Sequence, residues 1–203
     1  MRWRRQSLLL LIIGTIICLN ISFVRRDQTI DYLGIPGPIH YNNLDYHLAW
    51  SASPAKNYFK QEYLSSNDKI EAFDEMILIE ALVTRDKLAE VVKIKLAELE
   101  ERKKQDPVLN YQLFHNGEKA EFLLDFIVSE GKDKLSMVEW DAYRYKSFTD
   151  KAGHSGVMIF GFIRRETKNI TDFLNSLGDF RKQQMGILGA YLLPSIGLQP
   201  ISN

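Results

Sequence analysis

Cysteine is almost missing from this chain. Cys18 is the single one and lies inside a hydrophobic N-terminal run, so residues 27–203 hold none. A disulfide, a thiolate nucleophile and a cysteine metal site are therefore excluded there. For a domain that follows an export segment, the lack of cysteines favours a bacterial envelope over a secreted eukaryotic setting. Histidine is scarce too. His40, His47, His115 and His154 are scattered, and no two stand at the H-x-x-x-H spacing of a helical metal site. There is no G-x-S-x-G nucleophile elbow. Gly153 and Gly156 precede a strand-like run rather than a helix, so no phosphate-cradling loop is formed. His154 stands beside Ser155, but no third partner for a base–nucleophile pair is identifiable. Repeats and low-complexity stretches are also lacking. These absences point away from catalysis, and no cofactor or metal is expected.

An excess of basic charge is missing as well. The formal net charge is zero, with 26 Lys+Arg against 26 Asp+Glu. Five arginines (Arg2, Arg4, Arg5, Arg25, Arg26) fall in residues 1–26, which contain no acid. The rest of the chain keeps 21 basic against 26 acidic side chains, a net of −5. A mildly acidic domain is unsuited to nucleic-acid backbones and to anionic lipid surfaces.

What the chain does have begins with one long hydrophobic run. Leu8 to Val24 carries no charge and follows the basic stretch MRWRRQ. As a helix these residues span about 25 Å, the short limit for a bilayer. Residues 1–26 read as a signal-anchor or signal peptide. No small-x-small cleavage site follows, and Ile17 precedes Cys18 where lipidation wants a small residue. Both features favour a retained anchor. The expected arrangement is a membrane contact through residues 8–24 with the domain periplasmic or extracellular, and a secreted protein if the segment is cleaved.

Residues 27–43, with Gly34, Pro36, Gly37 and Pro38, read as a linker. A soluble domain is expected over 44–185 and an apolar tail over 186–203. Leu44, Tyr46, Leu48 and Trp50 alternate as in a half-buried strand, and Ser51 to Pro54 reads as a turn. Strands are expected at Tyr58–Leu64 and, as a near-continuous apolar run, at Met76–Val83. A helix is expected over about Lys87–Gln105, capped by Asp86, with Leu88, Val91, Val92, Leu96 and Leu99 on one face. Lys95 falls on that apolar face, where it can snorkel, and Ile94 falls off it without an explanation. Four antiparallel strands follow, with a two-residue hairpin expected at Asn116-Gly117. A second helix starts at Thr171 or Asp172.

The expected fold class is α+β: a mainly antiparallel sheet of about seven strands with two flanking helices, preceded by one N-terminal hydrophobic helix. Over Leu44 to Gln184 this element order resembles that of the Mog1/PsbP-like fold. The resemblance implies a non-enzymatic accessory or binding role.

The candidate binding surface lies on the strand MVEWDAYRYKSF. Glu139, Asp141, Tyr143 and Tyr145 share one face, Val138, Trp140 and Ala142 the other, and Arg164 and Arg165 end the next strand. A polar-aromatic platform of Glu139, Asp141, Tyr143, Tyr145 and Arg164 offers contact area with hydrogen-bonding handles. A solvated sheet face with acid–arginine pairs is the competing reading. Three functions remain in view: a membrane-tethered, non-catalytic scaffold for another envelope protein, a small-molecule-binding domain, and a hydrolase using His154, Ser155 or Glu139.

Overall fold

A computed structural model describes residues 29–131 and 134–199. The hydrophobic segment 8–24 lies outside the described residues. Among those described, no helix is long and apolar enough to cross a membrane.

Eight strands and two helices run in the order β1 (Ile39–Tyr41), β2 (Leu44–Ala55), β3 (Tyr58–Leu64), β4 (Glu75–Val83), α1 (Leu88–Lys103), β5 (Asn110–Asn116), β6 (Glu121–Glu130), β7 (Met137–Thr149), β8 (Ser155–Glu166) and α2 (Ile170–Ala190). All strands join one antiparallel sheet in the order β1-β2-β3-β4-β8-β7-β6-β5, curled into a half-barrel. The expected α+β class with about seven strands is therefore corrected: the domain is mostly β, with eight strands. Two four-stranded meanders meet where β4 pairs with β8. Four strands, not three, precede α1, so the element order behind the Mog1/PsbP-like resemblance changes too.

The extra strand hides in the segment expected to be a linker. Asn42 and Asn43 both adopt positive φ, 47° and 65°, as a two-residue hairpin turn requires. They close β1 onto β2, with Tyr41 opposite Leu44. Leu33, Ile35, Ile39 and Tyr41 are all buried in the main core. Two buried side chains fasten this segment. Gln61 Oε1 accepts from Leu33 N (2.8 Å), and Tyr63 Oη donates to the Ile35 carbonyl (2.7 Å). Packing and side-chain bonds thus replace the periodicity that a Pro/Gly-rich stretch lacks.

Other boundaries shift for equally local reasons. β2 runs through Pro54 rather than turning at Ser51. Pro54 falls in the register shift between Ala52 and Ala55 and lies beyond the reach of β1, so its missing N–H leaves no ladder bond unmade. The β5–β6 turn does not place Asn116-Gly117 at positive φ. Asn116 pairs with Glu121 around four residues, Ala120 carries the positive φ (49°), and Asn116 Oδ1 accepts from Lys119 N. Asp86 does not cap α1, because its carboxylate accepts from the Thr84 hydroxyl instead.

Strand alternation sends the two sheet faces to different helices. One face gathers Ile77, Ile79, Trp140, Ala142, Phe160 and Phe162, and α2 covers it with Phe173, Leu177 and Leu188. The other gathers Leu124, Phe126, Val128, Tyr145 and Val157 under Val91, Val92 and Leu99 of α1. α2 continues to Ala190 despite Gly178, Gly186 and Gly189, so it absorbs the start of the expected tail. The chain then docks on its own domain. Ile196 is buried, and Gly197 N and Gln199 N bond to the carbonyls of Leu33 and Tyr32.

Candidate functional site

The register sets up the site. Lys60 pairs with Glu80, Glu80 with Ile159, and Ile159 with Tyr145, so one row crosses β3, β4, β8 and β7. The next row holds Glu62, Leu78, Gly161 and Tyr143. Both rows lie on the face that α1 covers. Gly161 is required here, because a Cβ in its place would stand 2.9 Å from Tyr143 Cε1. The missing side chain lets the Tyr143 ring lie across β8.

α1 does not seal these rows. A cleft of about 410 Å³ remains between the helix and the sheet, with Tyr58, Glu80, Tyr143 and Tyr145 on its floor and Ile94, Lys95 and Glu98 on its helical wall. That volume lies in the range of small-molecule sites. Ile94, off the helix's apolar face, is 57% exposed because it stands at the cleft's open side. Lys95 does not reach outward as a snorkelling lysine would. Its ammonium lies 5.1 Å from the Phe126 ring centroid and 5.8 Å from that of Tyr143.

The polar groups beneath α1 are unequally matched. Three cations have carboxylate partners: Lys60 with Glu62 (2.9 Å), Lys95 with Glu98 (3.6 Å) and Arg165 with Glu139 (2.6 Å). Glu80 and Asp141 make no ion pair of this kind among the described residues. Burial pushes the Glu80 carboxyl above its ordinary pKa, against the opposing pull of the Tyr58 hydrogen bond, Lys60 and Lys95. Burial, and then the nearby Glu139 charge, push Asp141 well above its own. Burial raises the Tyr143 and Tyr145 hydroxyls likewise. Tyr145 is 1% exposed, lines the cleft, and its hydroxyl has no hydrogen-bond partner among the described residues. Such an orphan costs about 1–3 kcal/mol.

The structure thus brings together four of the five residues of the sequence-derived surface. Glu139, Asp141, Tyr143 and Tyr145 do share a face, but that face is covered by α1 rather than solvated. Arg164 does not join them. It lies on the opposite face, its guanidinium 4.2 Å from the Phe180 ring centroid and 5.4 Å from that of Phe173 in α2. Arg165, one residue on and so on the other face, takes the acid-pairing position, stacked 4.1 Å over Phe73. Sequence reasoning missed Glu80, Tyr58 and Lys95 as site residues. Two signals could have found them: a lone carboxylate within the apolar run of β4, and a lysine within the apolar face of α1.

The hydrolase candidates separate. His154 Nδ1 bonds to Asp150 Oδ2 (2.8 Å), and that hydrogen bond is the main cause holding the Asp150 carboxyl low. Ser155 Oγ pairs with Thr149 Oγ1 (3.0 Å), and Glu139 is taken by Arg165. Three larger grooves, of about 810, 710 and 660 Å³, are lined mainly by loop residues, the second including His154. None contains a buried charged side chain. Among the described residues no group of three or more His, Cys, Asp and Glu side chains converges as a metal site needs.

No curated protein and no solved structure matches this chain. A family model does match it, over residues 33–192, beginning at the buried Leu33 rather than at Leu44 and running past the end of α2. The chain belongs to that family, an uncharacterised one, which spans the whole sheet and both helices described above.

Proposed function

We propose that this is a non-catalytic ligand-binding domain, held at the outer side of a membrane by residues 8–24, and that the cleft under α1 is its binding site. One observation carries the reading: the buried Tyr145 hydroxyl is left without a partner at the floor of a small-molecule-sized cleft. Buried polar groups are ordinarily satisfied, so an orphan on a residue that lines a cleft marks a place for an incoming polar atom. The floor is set on four paired strands, which hold it rigidly.

The test uses the full chain in neutral detergent with ¹⁵N-labelled amides and a set of small-molecule fragments. Saturable shifts clustered on β3, β4, β7 and α1 are expected. Fragments that bind only elsewhere would overturn the assignment. Protease digestion of intact cells tests the tether, with cleavage of the domain from outside the cytoplasm as the expected result.

A second reading, docking of another envelope protein, is favoured by the edge of the sheet. β5 is the terminal strand there, and Leu113 and Phe114 are 38% and 48% exposed. An open edge with exposed apolar side chains can accept a partner strand.

A further inference from the structure

The reading of the cleft as a ligand site leaves open what it holds. We infer that it takes a small organic ammonium ion, seated on the Glu80 carboxylate among the rings of Tyr58, Tyr143 and Tyr145.

Charge gives the first argument. Both cations lining the cleft, Lys60 and Lys95, already have an acid within ion-pair reach, whereas Glu80 has no ion-pair partner among the described residues. An anionic ligand would meet Glu80 and Glu98 together at close range. A cation supplies the charge that this site lacks.

The aromatic lining gives the second. Ring faces attract ammonium groups, and several rings around a shallow cavity make an ammonium receptor. This wall already holds one such group, since the Lys95 ammonium rests against the Phe126 and Tyr143 faces. Lys95 is anchored on the helical wall, so its head occupies one end of the cleft and leaves Glu80, Tyr58 and Tyr145 for a guest. The orphan Tyr145 oxygen gives the third argument. That oxygen is closed off in the empty cleft, so a guest reaches it only as the floor relaxes; an ammonium N–H can then donate to it, and a purely apolar guest would leave it unsatisfied.

The experiment titrates the full chain in neutral detergent with butylammonium, 1-butanol and butyrate, followed by amide shifts and calorimetry. Butylammonium is expected to saturate and to shift residues of β3, β4, β7 and α1. The alcohol and the acid are expected to leave them in place at equal concentration. Glu80→Gln is expected to weaken butylammonium at least tenfold, while Glu90→Gln, at an exposed position on α1, changes nothing. Lys95→Met, which removes the resident ammonium, is expected to strengthen it severalfold. If 1-butanol or butyrate shifts the same residues as strongly, the cleft binds ligands but the ammonium assignment is wrong. If none of the three perturbs the cleft, the ammonium assignment falls, and the fragment screen then decides the cleft itself. A Glu80→Gln variant that keeps a folded amide spectrum and binds undiminished would overturn the seat on Glu80.

Discussion

The Arg144 guanidinium meets the Glu121 carboxylate at 2.7 Å, with both side chains almost wholly buried. From the same guanidinium, Nη1 donates to the carbonyls of Leu188 and Tyr191, at 2.9 and 2.7 Å. One arginine on β7 thus satisfies a buried acid and the C-terminal end of α2, where carbonyls lack helical partners. Removing Glu121 strands the Arg144 charge, and removing Arg144 leaves buried Glu121 with only the half-exposed Lys146, 3.4 Å away. Glu121→Gln or Arg144→Met is expected to cost about 3–5 kcal/mol, measured by urea unfolding. Replacing both together with Met is expected to cost less than the sum of the two, because no buried charge is then left alone.

A second prediction concerns Gly161. Its Cα lies under the Tyr143 ring, and the neighbouring contacts leave little room for that ring to move. Gly161→Ala is expected to destabilise by about 1–3 kcal/mol through overpacking. It is also expected to shift the amides of Tyr143 and Tyr145 and to narrow the cleft. A neutral effect on stability with unshifted cleft amides would contradict the packing described.

A third concerns pH. Burial, and then Glu139, push the Asp141 carboxyl well above its ordinary pKa, against the pull of Lys95 of α1, the Tyr143 hydroxyl and Arg165 of β8. Its folded pKa is raised, so above the unfolded value of about 3.9 the native state binds more protons than the unfolded chain. This residue therefore makes stability fall as pH rises from that value through its raised folded pKa. Asp141→Asn removes the titration while keeping the shape. Unfolding measured between pH 4 and 8 is expected to show the variant gaining on the wild type as pH rises. A variant that loses ground over that interval would contradict the assignment.

These predictions rest on features of unequal visibility in the sequence. Strand alternation was legible where it was clean. Tyr58–Leu64 forms β3 as expected, and the two-faced pattern from Val138 to Tyr145 puts the acids and tyrosines together. Period two cannot say which face a helix will cover, so the platform that looked solvated lies beneath α1. It also leaves open which of two adjacent arginines turns toward the acids, and Arg165 rather than Arg164 does so. β1 escaped notice because its three residues are too few for a period. The segment leading into it is fixed by Gln61 and Tyr63, which bond to Leu33 and Ile35 from more than twenty residues away. The length of α2 was hidden by its glycines. Gly178 and Gly186 have open space where a Cβ would stand, so the sheet packing of Phe173, Leu177 and Leu188 sustains the helix across them.

The most direct test of the account is the single substitution Tyr145→Phe, measured for both stability and ligand binding in the full chain. If the hydroxyl is kept for a ligand, deleting it removes a buried orphan. The variant should then be more stable than the wild type by about 1–2 kcal/mol in the unliganded state. It should also bind butylammonium severalfold more weakly. A Tyr145→Phe protein that is less stable, or that binds as well as the wild type, would contradict the claim that this hydroxyl faces a binding site.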